Sequence, residues 1–334
     1  IGFESTAHYA LNLELFLENA HHSFMEVNPV LIKEYKKSTT LRRTKTDSVD
    51  CESIARWLMT VEYKPHSKGF YHAYSLKSLT RLRDRLIRQR SFYLVKITNV
   101  LDHTFPEFKP FFNERLSKTA LYLLENYGSA EKMARMNSAS YDKLRCISRG
   151  KFSIQQFLRL KELAANTVGV NNFVFDLELN TLLTLYKSLS DEINILETEI
   201  IKLIEEVHPH YMSIPGIGPI SAAVIYAEYG DISNFSNPGQ MLAFAGIEPG
   251  INDSGTESHG GRMVKHGSSQ LRYVLLNSCL PLIRFDLTFA TYYAKKRAEG
   301  KKHRVAITHV AKKLIRVIYA LERQDVDFNV QKLR

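Results

Sequence analysis

Residues 182–207 read LLTLYKSLSDEINILETEIIKLIEEV, and their apolar positions alternate in steps of four and three. Eight residues follow this pattern: Leu182, Tyr186, Leu189, Ile193, Leu196, Ile200, Leu203 and Val207. The spacing is typical of a coiled-coil seam. A second long helix is predicted over residues 75–103, where Gln89 and Lys96 break the same spacing. We expect the two helices to pack together or against copies in another subunit.

These helices divide the chain into three regions. Residues 1–74 alternate short apolar runs with helical patterns, which favours an α/β domain. Its first strand is already under way at Ile1, so we expect the natural N-terminus to be missing. Residues 75–209 form the helical, coiled-coil region with shorter helices between its two long ones, and residues 210–334 form a mainly α C-terminal domain.

The charge of the chain favours a polyanionic partner. The formal net charge is +10, the isoelectric point is near 9.3, and the excess basic residues are clustered. Such clustering favours nucleic acid over a membrane, although ordinary solvated helix faces also carry clustered charge. The candidate nucleic-acid-binding side chains in these clusters are Arg42, Arg43, Lys45, Arg81, Arg85 and Arg88.

The cysteines and the apolar runs exclude several classes of protein. Cys51, Cys146 and Cys279 match neither a disulfide framework nor a zinc site. No apolar run approaches the roughly 20 residues that span a bilayer. The sequence therefore predicts a cytoplasmic protein without a membrane partner.

Three carboxylates form a candidate metal site. Asp47 and Asp50 are three residues apart and would share one face of a helix, and Glu4 closes an apolar strand. Neighbouring anions repel unless a cation or a proton intervenes, and oxygen ligands favour Mg²⁺ over zinc. Acids near a helix start are also explained by the helix macrodipole alone.

Two glycine-rich segments lie in the C-terminal region. Residues 214–219 read IPGIGP, and Gly216 and Gly218 would let a DNA phosphate approach backbone N–H groups at a helix start, as in a helix-hairpin-helix element. A plain turn between helices explains the same pattern. Residues 246–267 are also glycine-rich and contain the pair Ser254-Gly255, which by itself is usually a turn.

The segments Ile1-Gly2-Phe3-Glu4-Ser5-Thr6-Ala7-His8-Tyr9 and Lys45-Thr46-Asp47-Ser48-Val49-Asp50 resemble those of DEDD-type insertion-sequence transposases. In that family four acids hold metal in an N-terminal domain similar to Holliday-junction resolvases. Glu4, Asp47 and Asp50 match the last three acids, and the first Asp would precede Ile1. The resemblance implies a RuvC-like, RNase H-like α/β fold with Mg²⁺ or Mn²⁺ as cofactor.

Residues 245–272 contain Asp253-Ser254-Gly255, then Gly260-Gly261-Arg262, then Lys265-His266-Gly267 and Leu271-Arg272, and this stretch resembles the C-terminal domain of the same family. The resemblance implies that Ser254 is the nucleophile that attacks a DNA phosphodiester and carries the strand as a phosphoserine ester. Candidate phosphate clamps near it are Arg262, Lys265 and Arg272. Spacing alone leaves open other nearby side chains: Ser258, His259, Ser268 and Ser269.

The resemblance covers nearly the whole chain, including the coiled-coil insertion. It implies a bacterial, nucleoid-associated enzyme acting on donor and target DNA, guided by an RNA from the element's non-coding end. It also implies dimers that pair into tetramers, with the acidic domain of one subunit meeting the serine domain of another. Two alternatives remain open: a resolvase-like nuclease in which Ser254 only shapes a loop, and a non-catalytic nucleic-acid-binding module.

Overall fold

The computed structural model describes residues 1–5, 10–39, 46–63, 70–113, 116–254 and 257–329. For residues 70–72, 249–254 and 257–262 it describes the course of the backbone. The fold is predominantly helical, and the chain divides into two units, Ile1–Tyr71 and His72–Arg334. Helix packing therefore organises most of the chain.

The first unit begins with a βαβ arrangement. Strands β1 (Gly2–Glu4) and β2 (Met25–Val27) are parallel, and helix α1 (Ala10–Asn19) connects them. Helices α2 (Pro29–Thr39) and α3 (Asp47–Thr60) follow. This order is the alternation of strands and helices predicted for this part of the chain.

Helix α3 packs on one face of β1. A Cβ on Gly2 would clash with Leu58 Cδ1, so the strand and the helix approach each other more closely than a larger residue would allow. Because side chains alternate along a strand, Glu4 faces the same side as Gly2. Phe3 and its register partner Glu26 face the other side, where Glu14 of α1 lies near Glu26.

Two helices of 35 residues each organise the second unit, which includes the first of them from His72 onward. Helix α4 (Phe70–Thr104) is followed by five short helices, α5 (Phe108–Phe111), α6 (Lys118–Tyr127), α7 (Ala130–Ala134), α8 (Ser138–Ile147) and α9 (Ile154–Ala165), and then by the long helix α10 (Phe173–Val207). The short helices predicted between the two long ones are thereby confirmed. Their apolar faces form a core with Leu101 of α4 and Leu183 of α10.

The two long helices run antiparallel. Arg83 of α4 donates from Nε to Glu197 Oε1 of α10 at 2.7 Å. At the other end of the pair, the rings of His103 and Phe175 stack with centroids 5.8 Å apart. Both helices belong to the same chain, which is one of the two pairings predicted for them.

The remaining elements surround a second core. A 3-10 helix at His210–Ser213 leads to α11 (Pro219–Tyr229), a second 3-10 helix (Ile232–Asn234), α12 (Pro238–Ala245), the antiparallel strands β3 (Pro249–Ser254) and β4 (Glu257–Met263), α13 (Ser269–Phe285), α14 (Leu287–Ala298) and α15 (His303–Gln324). Leu76, Ile200, Leu275 and Leu314 belong to this core. It thus joins α4 and α10 to the C-terminal helices.

The predicted seam is only partly the buried face of α10. Ile193 and Ile200 are buried, whereas the other six seam residues are partly buried. Leu183 and Ile204 lie off the seam and are buried. The buried face of α10 is set by the helices that pack on it, which are α11 at one end and the short helices at the other. A regular coiled coil is therefore not confirmed.

None of the described helices is by itself long and apolar enough to cross a membrane. The bent pair α13 and α14 meets the criteria of length and composition only when the two helices are taken together. Leu271, Leu275 and Leu282 of α13 are buried in the core described above.

A buried ion pair ties α4 to α11. Arg81 donates from Nε and Nη2 to the two carboxylate oxygens of Glu228, at 2.9 and 3.1 Å. The Glu228 side chain is 2% exposed, whereas that of Arg81 is 49% exposed. Arg81 therefore supplies the positive charge that compensates the buried carboxylate of Glu228.

Replacing Glu14 by Gln is expected to stabilise the protein at pH 8 but not at pH 5. Glu14 is 2% exposed, and burial, with a smaller contribution from Glu26, raises the pKa of its carboxyl to about 7. A pKa raised above its unfolded value near 4.5 means that stability is greatest below pH 4.5 and is lost as pH rises through about 7. Thermal unfolding at both pH values, with the exposed Glu62→Gln as control, tests this. An equal change at pH 5 and pH 8 would contradict it.

Replacing Arg81 by Gln is expected to destabilise the second unit by about 1–3 kcal/mol, because a buried carboxylate loses its charged partner. Arg88→Gln is the matched control, since Arg88 pairs with Asp84 at 2.9 Å but is 72% exposed. The control should change stability by less than about 0.5 kcal/mol. Urea unfolding measures both variants, and equal effects would argue against a structural role for Arg81.

Candidate functional site

The three predicted carboxylates lie within the first unit around β1 and α3. Thr46 caps α3, with its Oγ1 accepting from the Val49 N–H at 3.4 Å. This cap starts the helix at Asp47 and puts Asp47 and Asp50 in its first turn. Asp47 is exposed, whereas Glu4 and Asp50 are partly buried. All three side chains thus belong to the two elements that pack together on the Gly2 side of the sheet.

Asp50 has a cationic neighbour that the sequence analysis did not assign to it. The Lys36 ammonium of α2 contacts Asp50 Oδ1, and both side chains are about one quarter exposed. The contact lacks hydrogen-bond geometry, so this buried oxygen has no hydrogen-bond partner. Lys36 lies in the last turn of α2, where a basic residue also suits the helix macrodipole. The position at the end of a helix thus predicts a basic residue, but it does not predict that Lys36 pairs with Asp50.

The donor chemistry around Asp50 fits a divalent cation. Carboxylate oxygens are the ligands that Mg²⁺ and Mn²⁺ prefer, and the buried Oδ1 of Asp50 makes no hydrogen bond, although Lys36 is its ion-pair partner. Within the described ranges, no three carboxylate, imidazole or thiol groups come close enough together to form a metal site. Side-chain rearrangement at Glu4 or Asp47 would therefore accompany binding of a metal by all three.

Strands β3 and β4 form the hairpin that contains Ser254. The register pairs Asn252 with His259, Asp253 with Ser258 and Ser254 with Glu257, so Ser254 is the last paired residue of β3. At the other end, the Val264 N–H donates to the Glu248 carbonyl at 2.8 Å. Ile247, directly before the hairpin, is buried in the core. The base of the hairpin is therefore fixed, and Ser254 lies at its far end.

Several predicted residues near the hairpin have structural partners. Arg272 donates from Nη1 to the Ala245 carbonyl at the end of α12, at 3.2 Å. Ser268 caps α13, with its Oγ accepting from the Leu271 N–H at 3.2 Å. Lys265 is exposed and has no ion pair with the described residues. The side chains of Ser254, Ser258, His259 and Arg262 belong to the stretch for which only the backbone is described.

The glycine turn contains one glycine that packs internally and one that is open. Gly216 has a φ of +96°, and a Cβ there would lie 2.7 Å from Pro281 Cγ, so packing against α13 explains this glycine. Nothing lies within 4 Å of the corresponding position on Gly218. Gly218 supplies no side-chain cap to α11, and the first amides of a helix lack intrahelical acceptors. Gly218 is thus the better placed of the two to admit a phosphate.

The arginines of α4 separate into paired and unpaired side chains. Arg81, Arg83 and Arg88 form ion pairs with Glu228, Glu197 and Asp84. Arg85 is exposed and has no ion pair within the described part of the chain. Of the predicted α4 contacts to nucleic acid, Arg85 is therefore the most available. Arg42, Arg43 and Lys45 lie outside the described residues.

Comparison with known protein families gives two matches. Residues 209–294 match the family described as Transposase IS116/IS110/IS902 family. Residues 1–106 match a family described as Transposase, the DEDD type of IS110. One match covers the three carboxylates, and the other covers the glycine turn and the serine hairpin.

Individual relatives agree with these matches. The chain is 29% identical over 237 residues to the 43.6 kDa protein of insertion element IS110 from Streptomyces coelicolor, covering 68% of this chain and 58% of that protein. It is 28% identical over 298 residues to the 42 kDa protein of insertion element IS900 from Mycobacterium paratuberculosis, covering 84% and 71%. It is 25% identical over 260 residues to the transposase for insertion sequence element IS1111A from Coxiella burnetii, covering 77% and 59%.

The chain thus spans between 58% and 71% of the length of these relatives. The IS900 alignment is long enough to include residues of both matched regions. Carboxylates at a strand end and a helix start, a glycine turn and a serine hairpin occur together in one chain that both family descriptions match. The chain belongs to the IS116/IS110/IS902 family of transposases.

Proposed function

We propose that the chain cleaves and rejoins DNA strands as the transposase of a bacterial insertion sequence, with Ser254 as its nucleophile. One observation carries the proposal: Ser254 is the last residue of β3, at the far end of a hairpin whose base is fixed beside buried Ile247. A duplex is too wide to enter a packed core, so a nucleophile for DNA has to extend outward from it. The end of a two-stranded arm meets that requirement.

The proposed step conserves the number of phosphate ester bonds. The Ser254 oxygen forms a bond to phosphorus while the bond from phosphorus to a sugar oxygen breaks. The serine proton leaves to a base, and the departing sugar oxygen takes up a proton. A hydroxyl on the strand to be joined then attacks the phosphoserine and releases the serine. No external energy source is needed, because each ester is exchanged for another.

The negative charge on the phosphate requires nearby donors and cations. Exposed Lys265 follows β4 directly, and Arg272 has further N–H donors beyond the one that binds Ala245. Gly218 and the first amides of α11 offer a second phosphate contact, and Arg85 a third. These groups support a chain that binds the DNA backbone at several points.

A DEDD-type transposase domain indicates the use of a divalent metal, which we propose is Mg²⁺ or Mn²⁺. Glu4, Asp47 and Asp50 would hold it. A bound divalent metal supplies Lewis-acid stabilisation of charge on a phosphate. The buried Asp50 Oδ1 makes no hydrogen bond, which supports this assignment, and its ion-pair partner Lys36 balances part of the charge of Asp50.

The proposal includes a guide RNA and self-association into dimers and tetramers. Arg85 and the basic character of α4 are compatible with RNA backbone binding. Phe92 and Val95, three residues apart on α4, are exposed by 56% and 58%. Apolar side chains exposed on one helix face favour contact with a second copy.

A covalent complex between protein and DNA is the expected product of the proposed step. The chain, with labelled donor and target DNA, Mg²⁺ and RNA copurified from cells that carry the element, should give a labelled band on a denaturing protein gel. The band should be absent in Ser254→Ala and weaker in Asp50→Asn. Ser258→Ala, on the facing strand of the same hairpin, is the matched control and should keep it.

Three other outcomes would contradict parts of this proposal. Loss of the band in Ser258→Ala but not in Ser254→Ala would reassign the nucleophile. Free 5′-phosphate ends without a covalent band would favour the metal-dependent nuclease. Tight binding without any strand breakage under Mg²⁺ or Mn²⁺ would favour the binding module.

A further inference from the structure

Basic side chains line one face of α15. His309, Lys312, Arg316 and Arg323 are separated by steps of three, four and seven residues. At 100° per residue these positions fall within an arc of about 60°, and they extend over about 21 Å of helix. We call these four residues the α15 row. The opposite face of the helix is buried in the core through Val310, Leu314 and Ile318, among others.

Two other basic residues nearby, Lys296 and Lys313, differ from the row because they have partners. Lys296 of α14 pairs with Glu299 at 2.9 Å. Lys313 lies over the rings of Phe289 and Tyr292, 5.1 and 5.2 Å from their centroids. By contrast, no residue of the α15 row has an ion pair with the described carboxylates. Arg323 contacts the Tyr319 ring, a partner that leaves its charge unbalanced.

Lys312 is partly buried although it has no close anionic partner. Burial lowers the pKa of its ammonium, an effect that Glu248 partly offsets and Arg316 reinforces. Burial also lowers the pKa of His309, and Lys312 and Lys296 lower it further. Keeping a partly desolvated cation beside other cations is unfavourable. A fully solvated helix face would not carry this electrostatic cost, and a bound anion would offset it where it exists.

The row begins beside the base of the serine hairpin. Glu248, which acts on Lys312, directly precedes β3 and accepts the hydrogen bond that closes the hairpin. Six residues of extended chain separate Glu248 from Ser254, or about 20 Å. The base of the hairpin that contains the proposed nucleophile therefore lies near the α15 row.

We propose that the α15 row binds the phosphodiester backbone of a nucleic acid. A small anion would contact only one or two of these side chains, whereas a polyanion matches a row about 21 Å long. The proposal rests on the proposed function for the identity of the polymer. Its site is separate from the carboxylates, the glycine turn and the hairpin serine.

The double variant Lys312→Gln with Arg316→Gln tests the proposal. The matched control is Lys202→Gln with Arg135→Gln, which removes the same charge from side chains that are 63% and 77% exposed. Fluorescence anisotropy with a 20-base-pair DNA duplex, a single DNA strand and a single RNA strand of the same sequence measures affinity over a series of salt concentrations. Circular dichroism and thermal unfolding verify that both variants are folded.

The row variant is expected to bind at least one probe on the order of tenfold more weakly than the control, with the slope of log affinity against log salt reduced by about two. Loss confined to the duplex identifies DNA as the ligand, and loss confined to RNA identifies RNA. Affinities and slopes equal to those of the control for all three probes would overturn the proposal. The proposal would also be overturned if the unsubstituted chain bound none of the three probes.

The result is distinguishable from that of the covalent-complex experiment. If the unsubstituted chain forms no covalent band but the row variant still loses affinity, the serine mechanism fails and the α15 row stands. If the covalent band forms and the row variant binds like its control, the reverse holds.

Discussion

Antiparallel packing of two 35-residue helices is the constraint on which the second unit depends. Each helix is about 50 Å long, too long for one core of this size to cover. Each therefore contributes to two cores, Leu76 and Ile200 at one end and Leu101 and Leu183 at the other. Helix α11 packs on α10 and α13 on α11, so the glycine turn and the base of the serine hairpin take their positions from this pair.

The carboxyl groups on the two faces of the small sheet have different surroundings. Glu14, on the face shared with Glu26, has no ion pair among the described residues, and burial raises the pKa of its carboxyl to about 7. Glu4, Asp47 and Asp50 belong to the face covered by α3, where Lys36 supplies one positive charge for the group. A cation arriving on the α3 face would therefore meet carboxyl oxygens, the ligands that the proposed metal binding requires. One short strand thus separates the buried Glu14, whose pKa is raised to about 7, from the three carboxyl groups proposed to hold a metal.

Some basic residues of this chain compensate carboxylates within the fold, and others have no such partner among the described residues. Arg81 holds the buried carboxylate of Glu228, and Arg83 links the two long helices through Glu197. Such arginines compensate charges that the fold itself buries. Arg85, Lys265 and the α15 row have no such ion pair within the described residues, which leaves their charge for a phosphate. Net charge alone predicts the polyanionic partner but not which cations meet it.

Features set by local interactions were predictable from the sequence. The two long helices, the alternation of strands and helices, the start of α3 at Asp47 and the turn before α11 all follow from periodicity, capping and backbone conformation within a few residues. The family resemblance rested on motifs of the same local kind. The tertiary structure alone decided which face of α10 is buried, that Gly216 packs on Pro281, and that Arg81 binds Glu228, 147 residues away. The physical reason is that burial and charge compensation depend on contacts between residues far apart in the sequence, and only folding brings such residues together.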